Sequence, residues 1–173
     1  MERSTEPRGG GLTIAVCGAA QCGPVLETLA ESVGRGLAES GAVLLTGGRG
    51  GVMAAASRGA RLAGGQVVGI LPGSDDESSG ANAHLSIPIH TGLGQGRNLV
   101  LVLSAQAVIA IGGGWGTLSE IAMALKHGRP VVCLESWRPE RPDGQCESLL
   151  LTVKDAAGAV AEALRAAGGA APR

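Results

Sequence analysis

From Leu12 onward two kinds of apolar pattern alternate along the chain. Short continuous runs of Val, Ile, Leu and Ala are separated by longer stretches in which apolar residues recur every three or four positions. The first kind reads as strands buried on both faces, and the second as helices with one apolar side. The predicted strands are Leu12–Cys17, Val43–Thr46, Gln66–Leu71, Leu85–Ile89, Ala107–Ile111, Val131–Leu134 and Leu150–Val153. Between them, helices are expected from Pro24 to Gly41, Val52 to Ala63, Gly96 to Ala105 and Leu118 to Lys126, with a last one from Asp155 to about Ala167. Pro24 suits a first helical position, and Asp155 suits an N-cap. Strands alternating with helices predict an α/β fold: one Rossmann-like domain, with a doubly wound, mostly parallel sheet and helices on both faces. That domain is expected over residues 12–167, with flexible tails at 1–11 and 168–173. The polar, acidic segment Ser74–Ala83 is expected to be a mobile loop.

Composition narrows the function. The 173 residues carry 14 Lys+Arg against 15 Asp+Glu, and 45% of them are hydrophobic, as in a folded domain rather than a disordered chain. A pI near 6.3 lacks the basic footprint of a duplex DNA binder. With no Tyr or Phe and two Trp, the chain lacks the serial base-stacking platforms of single-strand binders. No nucleic acid is therefore expected as partner. The polar start is unlike a signal peptide, and the longest apolar run, Leu99–Ile111, is too short to span a bilayer. A cytoplasmic protein without a membrane segment is expected. Cys17, Cys22, Cys133 and Cys146 form no CxxC pair and have no His at ligand spacing, so no metal site is expected. Cys17 and Cys133 lie within strands and read as buried, inert thiols.

Thirty glycines are more than twice the usual share of about 7%, and they gather where predicted strands end. Gly18-Ala19-Ala20-Gln21-Cys22-Gly23 has the GxxxxG spacing of a P-loop, but Pro24-Val25 follows where Lys and Ser or Thr are needed. The segment also lacks GxGxxG, and no acidic residue ends the second strand, which argues against a dinucleotide site. Gly112-Gly113-Gly114-Trp115-Gly116-Thr117 joins a buried strand to a helix. Its backbone N–H groups and the helix dipole make a site for phosphate, to which the Thr117 hydroxyl can add a donor. Gly47-Gly48-Arg49-Gly50-Gly51 forms a second such loop. The plainer alternative is that these glycines only permit tight turns. Glu120 is either a ligand-facing acid/base or ribose acceptor, or the partner of Thr117 in a capping box. Arg97 and Arg49 either reach a phosphate or a leaving group, or are solvated. The helix containing Leu99–Leu103 supplies either a dimer face or core. His84, His90 and His127 are isolated and read as ordinary surface or packing residues.

Gly113-Gly114-Trp115-Gly116-Thr117-Leu118-Ser119-Glu120 resembles the GGxGTxxE motif of the LONELY GUY family, often mislabelled as lysine decarboxylases. Gly47-Gly48-Arg49-Gly50-Gly51-Val52-Met53 resembles that family's upstream glycine motif, and Arg97 falls where its Arg-Lys pair lies. Two positions depart from the pattern: Gly112 replaces the usual proline, and Asn98 replaces the lysine. In these features the chain is closer to a side branch that is also similar to molybdenum-cofactor carrier proteins.

The resemblance implies a Rossmann-like homodimer, or a higher homo-oligomer, that hydrolyses nucleoside 5′-monophosphates to free base and ribose 5-phosphate without a metal or redox cofactor. Arg97 and Glu120 would be catalytic: Arg97 would orient the substrate, and Glu120 would bind ribose hydroxyls and position water. Gly18, Gly47, Gly48, Arg49, Gly51, Met53, Gly112, Gly113, Gly114, Trp115, Gly116 and Thr117 would line the phosphate and ligand site. The branch implies an alternative from another class, a non-catalytic carrier or sensor of a phosphorylated ligand such as molybdenum cofactor. A third is a nucleotide-binding scaffold for a protein partner.

Overall fold

The structure, a computed structural model, describes residues 11–145 and 147–169. Seven strands form one parallel sheet: β1 (Thr13–Gly18), β2 (Val43–Thr46), β3 (Val67–Leu71), β4 (Ile87–His90), β5 (Ala107–Ile111), β6 (Val131–Leu134) and β7 (Leu150–Val153). Their spatial order is β4-β3-β2-β1-β5-β6-β7, with every neighbouring pair parallel. Six helices cover it: α1 (Pro24–Glu39), α2 (Val52–Leu62), α3 (Asp76–Ser79), α4 (Arg97–Ser104), α5 (Trp115–Lys126) and α6 (Ala156–Gly169). The fold is therefore the single-domain, doubly wound α/β sheet that the alternating pattern implies.

The continuous apolar strands follow from burial on both faces. Ile14 and Val16 of β1, Ile109 and Ile111 of β5 and Leu134 of β6 pack with α1, α2 and α6. Their neighbours Ala15, Cys17, Val108, Ala110 and Cys133 pack on the other side, with Leu101 and Val102 of α4 and Ile121 of α5. In α4, Leu101 and Val102 are core, while Leu99 and Leu103 are 37% and 42% exposed. Among the described residues, no helix is long and apolar enough to cross a membrane.

Strand order reverses direction between β1 and β5, whose connections leave toward opposite ends of the sheet. A crevice opens at the carboxyl ends of strands at such a switch point. The loops after β1, β2 and β5 carry the glycine clusters, so the topology brings together segments up to about ninety residues apart.

Three details differ from the sequence expectations. Helix α5 begins at Trp115, three residues earlier than Leu118, because the chain turns at Gly114, an extended N-cap with φ −106° and ψ −154°. Segment 74–83 contains the one-turn helix α3, closed by a capping box in which Asp75 and Ser78 satisfy each other's backbone N–H. It is also tied to the loop after β2, since Asn82 donates its backbone N–H to Gly48 O at 2.8 Å and its amide to Arg49 O at 3.0 Å. The tails expected at 1–11 and 168–173 lie mostly outside the described residues, as does Cys146; helix α6 runs on to Gly169.

Helices α1 and α2 cross on bare backbone. A Cβ on Gly34 would overlap the Ala56 carbonyl, and one on Gly59 would overlap the Glu31 carbonyl. Arg58 clamps the same crossing, donating from Nε and Nη2 to Glu31 Oε2 at 2.9 and 2.7 Å. Neither backbone can yield without parting the helices, so Gly34→Ala or Gly59→Ala is expected to destabilise by about 1–3 kcal/mol. Gly168→Ala, which meets nothing, should stay within about 0.5 kcal/mol. Urea midpoints of the three variants at constant m-value check this.

Candidate functional site

The three loops at the switch point are locked to one another through their glycines. After β1, Ala19 O accepts from the Val52 N–H at 3.0 Å. Gly51 (φ +60°) turns against the Ala19 and Ala20 backbone, where a Cβ would collide. Gly18 lies against the Ile111 carbonyl and the Val52 side chain, so β1, the start of α2 and the end of β5 meet with no room for a methyl group. After β5, Gly113 (φ +108°) covers the Thr117 side chain. Thr117 is thus buried within the first turn of α5, and Gly114 caps that helix without any side-chain bond. The capping box anticipated between Thr117 and Glu120 does not form, because both residues lie inside the helix.

The β5 loop is held from the other side as well. Ser136 Oγ donates to Gly112 O at 2.6 Å, and Trp137 Nε1 donates to Gly114 O at 3.2 Å. A Cβ on Gly114 or Gly116 would meet no atom within 4 Å, although Gly116 sits in a helical turn where Gly costs about 1 kcal/mol relative to Ala. The first backbone bond of α5 runs from Leu118 N–H to Gly114 O at 3.1 Å. The N–H groups before it are directed outward at the positive end of the helix dipole.

Beneath these loops lies a buried ion pair. Arg97 at the start of α4 and Glu120 of α5 are 7% and 5% exposed, with Arg97 Nη1 and Glu120 Oε1 3.7 Å apart. The guanidinium lies against Gly47, whose Cβ would overlap it. Burial raises the Glu120 carboxyl from 4.5 to about 7, against the pull of the Arg97 charge and a hydrogen bond from the Cys17 thiol. Burial also lowers Arg97, opposed by Glu120 and assisted by the nearby charge of Arg49. Burial likewise pushes the Cys17 thiol well up, consistent with an unreactive sulfur. Several polar atoms here keep unused bonding capacity: Thr46 Oγ1, Arg97 Nε and Nη1, and Asn98 Oδ1. Asn98 is joined to α5 through Ser119, whose Oγ lies 3.5 Å from its Nδ2 and donates to Gly116 O at 2.6 Å.

Of the residues singled out in the sequence, Arg97, Glu120 and Gly47 are in mutual contact, and Gly112, Gly113, Gly114, Trp115, Gly116 and Thr117 form the adjoining lip. Arg49 is exposed on its loop, while Gly48 packs on Leu71 and Leu85 and Met53 is 5% exposed in α2. Asn98, marked in the sequence as the departure from an Arg-Lys pair, adjoins Arg97, while Cys17 beside Glu120 and Ser136 and Trp137 on the β5 loop were not anticipated as part of the site. For Trp137 there was a cue, since it is one of two aromatic residues in the chain. Among the described residues, no three His, Cys, Asp or Glu side chains converge as a metal-holding group.

The raised Glu120 value fixes the sign of a pH effect. The folded chain holds this proton more tightly than the unfolded one, so stability falls as pH rises from about 4.5 to about 7, by about 3 kcal/mol in all. Glu120→Gln removes that dependence. Its Tm should gain on the wild-type Tm steadily between about pH 5 and pH 8, as read by thermal melts across that range. A constant difference would place the titration of Glu120 elsewhere.

Known proteins fit this geometry. The profile of the SLOG cluster4 family matches residues 11–166. A protein of Archaeoglobus fulgidus is 45% identical over 124 residues, covering 72% of this chain and 80% of that one. The solved molybdenum cofactor carrier protein of Chlamydomonas reinhardtii superposes with a TM-score of 0.79 at 35% identity, covering 91% of this chain and 99% of that one. The molybdenum cofactor binding protein of the phototrophic bacterium Rippkaea orientalis gives a TM-score of 0.77, also at 35% identity, over 92% and 98% of the two chains. With its parallel sheet, its glycine loops and nearly its whole length matched, the chain belongs to the SLOG cluster4 family.

Proposed function

We propose that this protein holds a small phosphorylated ligand without cleaving it, as a carrier does, and that a phosphorylated pterin of the molybdenum-cofactor class is its cargo. The observation that carries this reading is the burial of the Arg97–Glu120 pair beneath the glycine loops. Hydrolysis of a nucleotide's N-glycosidic bond passes through an oxocarbenium-like state, which requires an anion facing the sugar. Glu120 is 5% exposed, engaged by Arg97 and Cys17, and partly protonated at neutral pH. Asn98, where the LONELY GUY pattern has lysine, removes a cation that the hydrolase reading needs.

Binding asks less of the site. The open N-terminus of α5 offers backbone donors and a positive dipole end to a phosphate. Arg97 beneath the loops and Arg49 beside them add positive potential. The similarity at 35% identity to a molybdenum cofactor carrier protein and a molybdenum cofactor binding protein supports the cargo class. The competing reading, a nucleoside monophosphate hydrolase, draws its support from the retention of both Arg97 and Glu120 in contact.

One experiment separates the two. The purified protein is incubated with a panel of nucleoside 5′-monophosphates, and ribose 5-phosphate and free base are quantified. The carrier reading expects no release, together with a near-ultraviolet absorption band from retained pterin in protein isolated from cells that make the cofactor. Base release that disappears in Glu120→Gln would overturn it. A second variant tests the phosphate position. Gly116→Asp places a carboxylate in the open space before α5, where a helix tolerates it. It should leave stability within about 0.5 kcal/mol while weakening phosphate-ester binding at least about tenfold, measured by calorimetry with GMP.

A further inference from the structure

Apart from the glycines, the lip of the site carries one conspicuous group. Trp115 is 79% exposed, more than any other large hydrophobic residue among those described. It is one of two aromatic side chains in the whole chain, and the other, Trp137, stands beside it with ring centroids 5.4 Å apart and planes inclined by 31°. Trp137 is itself anchored, packing on the core beneath α4 and α5 and donating its Nε1–H to Gly114 O at 3.2 Å. The exposed indole is thus braced on one side by a fixed neighbour and open on the other. Trp115 also directly follows Gly114 and precedes Gly116, the two positions where a Cβ would meet empty space. An aromatic face left in water beside an open anion site is a recognition surface for a flat ring attached to that anion. Stacking on indole is tolerant of ring identity, and a braced indole loses little freedom on binding.

We propose that Trp115, braced by Trp137, is the stacking platform for the heterocycle of the bound ligand. This restricts the ligand class to phosphate esters bearing a planar fused heterocycle, such as a purine or a pterin, and disfavours bare phosphosugars. The inference rests on the phosphate site placed at the α5 N-terminus in the reading above. It does not depend on whether the ligand is cleaved.

The two indoles supply the readout. The intact protein is titrated with GMP, ribose 5-phosphate and inorganic phosphate, following tryptophan emission and, independently, heat. GMP is expected to quench emission saturably and to bind at least about tenfold more tightly than ribose 5-phosphate, which should compete without quenching. Trp115→Ala, at an exposed position that favours Ala in a helix, should erase that preference and leave ribose 5-phosphate affinity within about twofold. Trp115→Phe should restore much of it. If ribose 5-phosphate binds the wild type as tightly as GMP, or if Trp115→Ala weakens both ligands equally, the platform is overturned while the phosphate site stands. If neither ligand nor phosphate binds, the phosphate site and the platform fail together. If Trp115→Ala dissociates an oligomer in sedimentation and leaves GMP affinity unchanged, the indole belongs to an interface between copies and the platform is overturned.

Discussion

Arg97 loses nearly all its solvent at the carboxyl edge of a sheet that is apolar on both faces, and a guanidinium so placed must recover that energy from what touches it. It does so with Glu120 from α5 and by lying against Gly47 after β2. That choice constrains its surroundings. Residue 47 must lack a side chain, α4 and α5 must start at fixed positions relative to each other, and Glu120 must share its proton affinity with Arg97 and Cys17. The 3.7 Å separation and the unbonded Nε and Nη1 show a pair matched in charge but short of hydrogen bonds. Such an arrangement ties α4 to α5.

Above this floor the glycines divide into two kinds. Gly18, Gly47, Gly51 and Gly113 are required by neighbours, because a methyl group at any of them would overlap backbone or a buried side chain. They explain why loops from three strands approach so closely, and they need no ligand. Gly114 and Gly116 have no such neighbour. These two open positions lie at the positive end of the α5 dipole, where an anion is favoured. The Ser136 and Trp137 bonds to Gly112 and Gly114 fix the loop from the β6 side. The proposed anion site would therefore belong to a lip tied on both sides, which suits holding a ligand in one orientation.

The fold and much of the site were legible in the sequence because both depend on local rules. Continuous apolar runs can satisfy burial on two faces only as inner strands of a covered sheet, and the ends of β1, β2 and β5 are marked by glycine. The motif from Gly113 to Glu120 likewise located the lip, and Arg97 and Glu120 were each singled out, though not as partners of one another. One reading left open and one expectation were revised by packing. Thr117 and Glu120 satisfy the spacing of a capping box, yet the helix starts two residues before Thr117 because Gly113 closes over the Thr117 side chain. Segment 74–83 has the composition of a free loop, yet Asn82 ties it to the backbone of residues 48 and 49.

By itself, then, the sequence determined the element order, the parallel sheet, the glycine-marked strand ends and the residues that gather there. Periodicity and turn chemistry act over a few residues, so a one-dimensional pattern suffices. Only the tertiary structure decided what those residues face. Cys17 of β1 reaches Glu120 of α5, and Trp137 comes to Trp115 from the loop after the next strand. Burial turned the ion pair inward, while the switch between β1 and β5 left the start of α5 open. Both outcomes are contacts across the fold, set by which backbones can approach one another, and no local spacing encodes them.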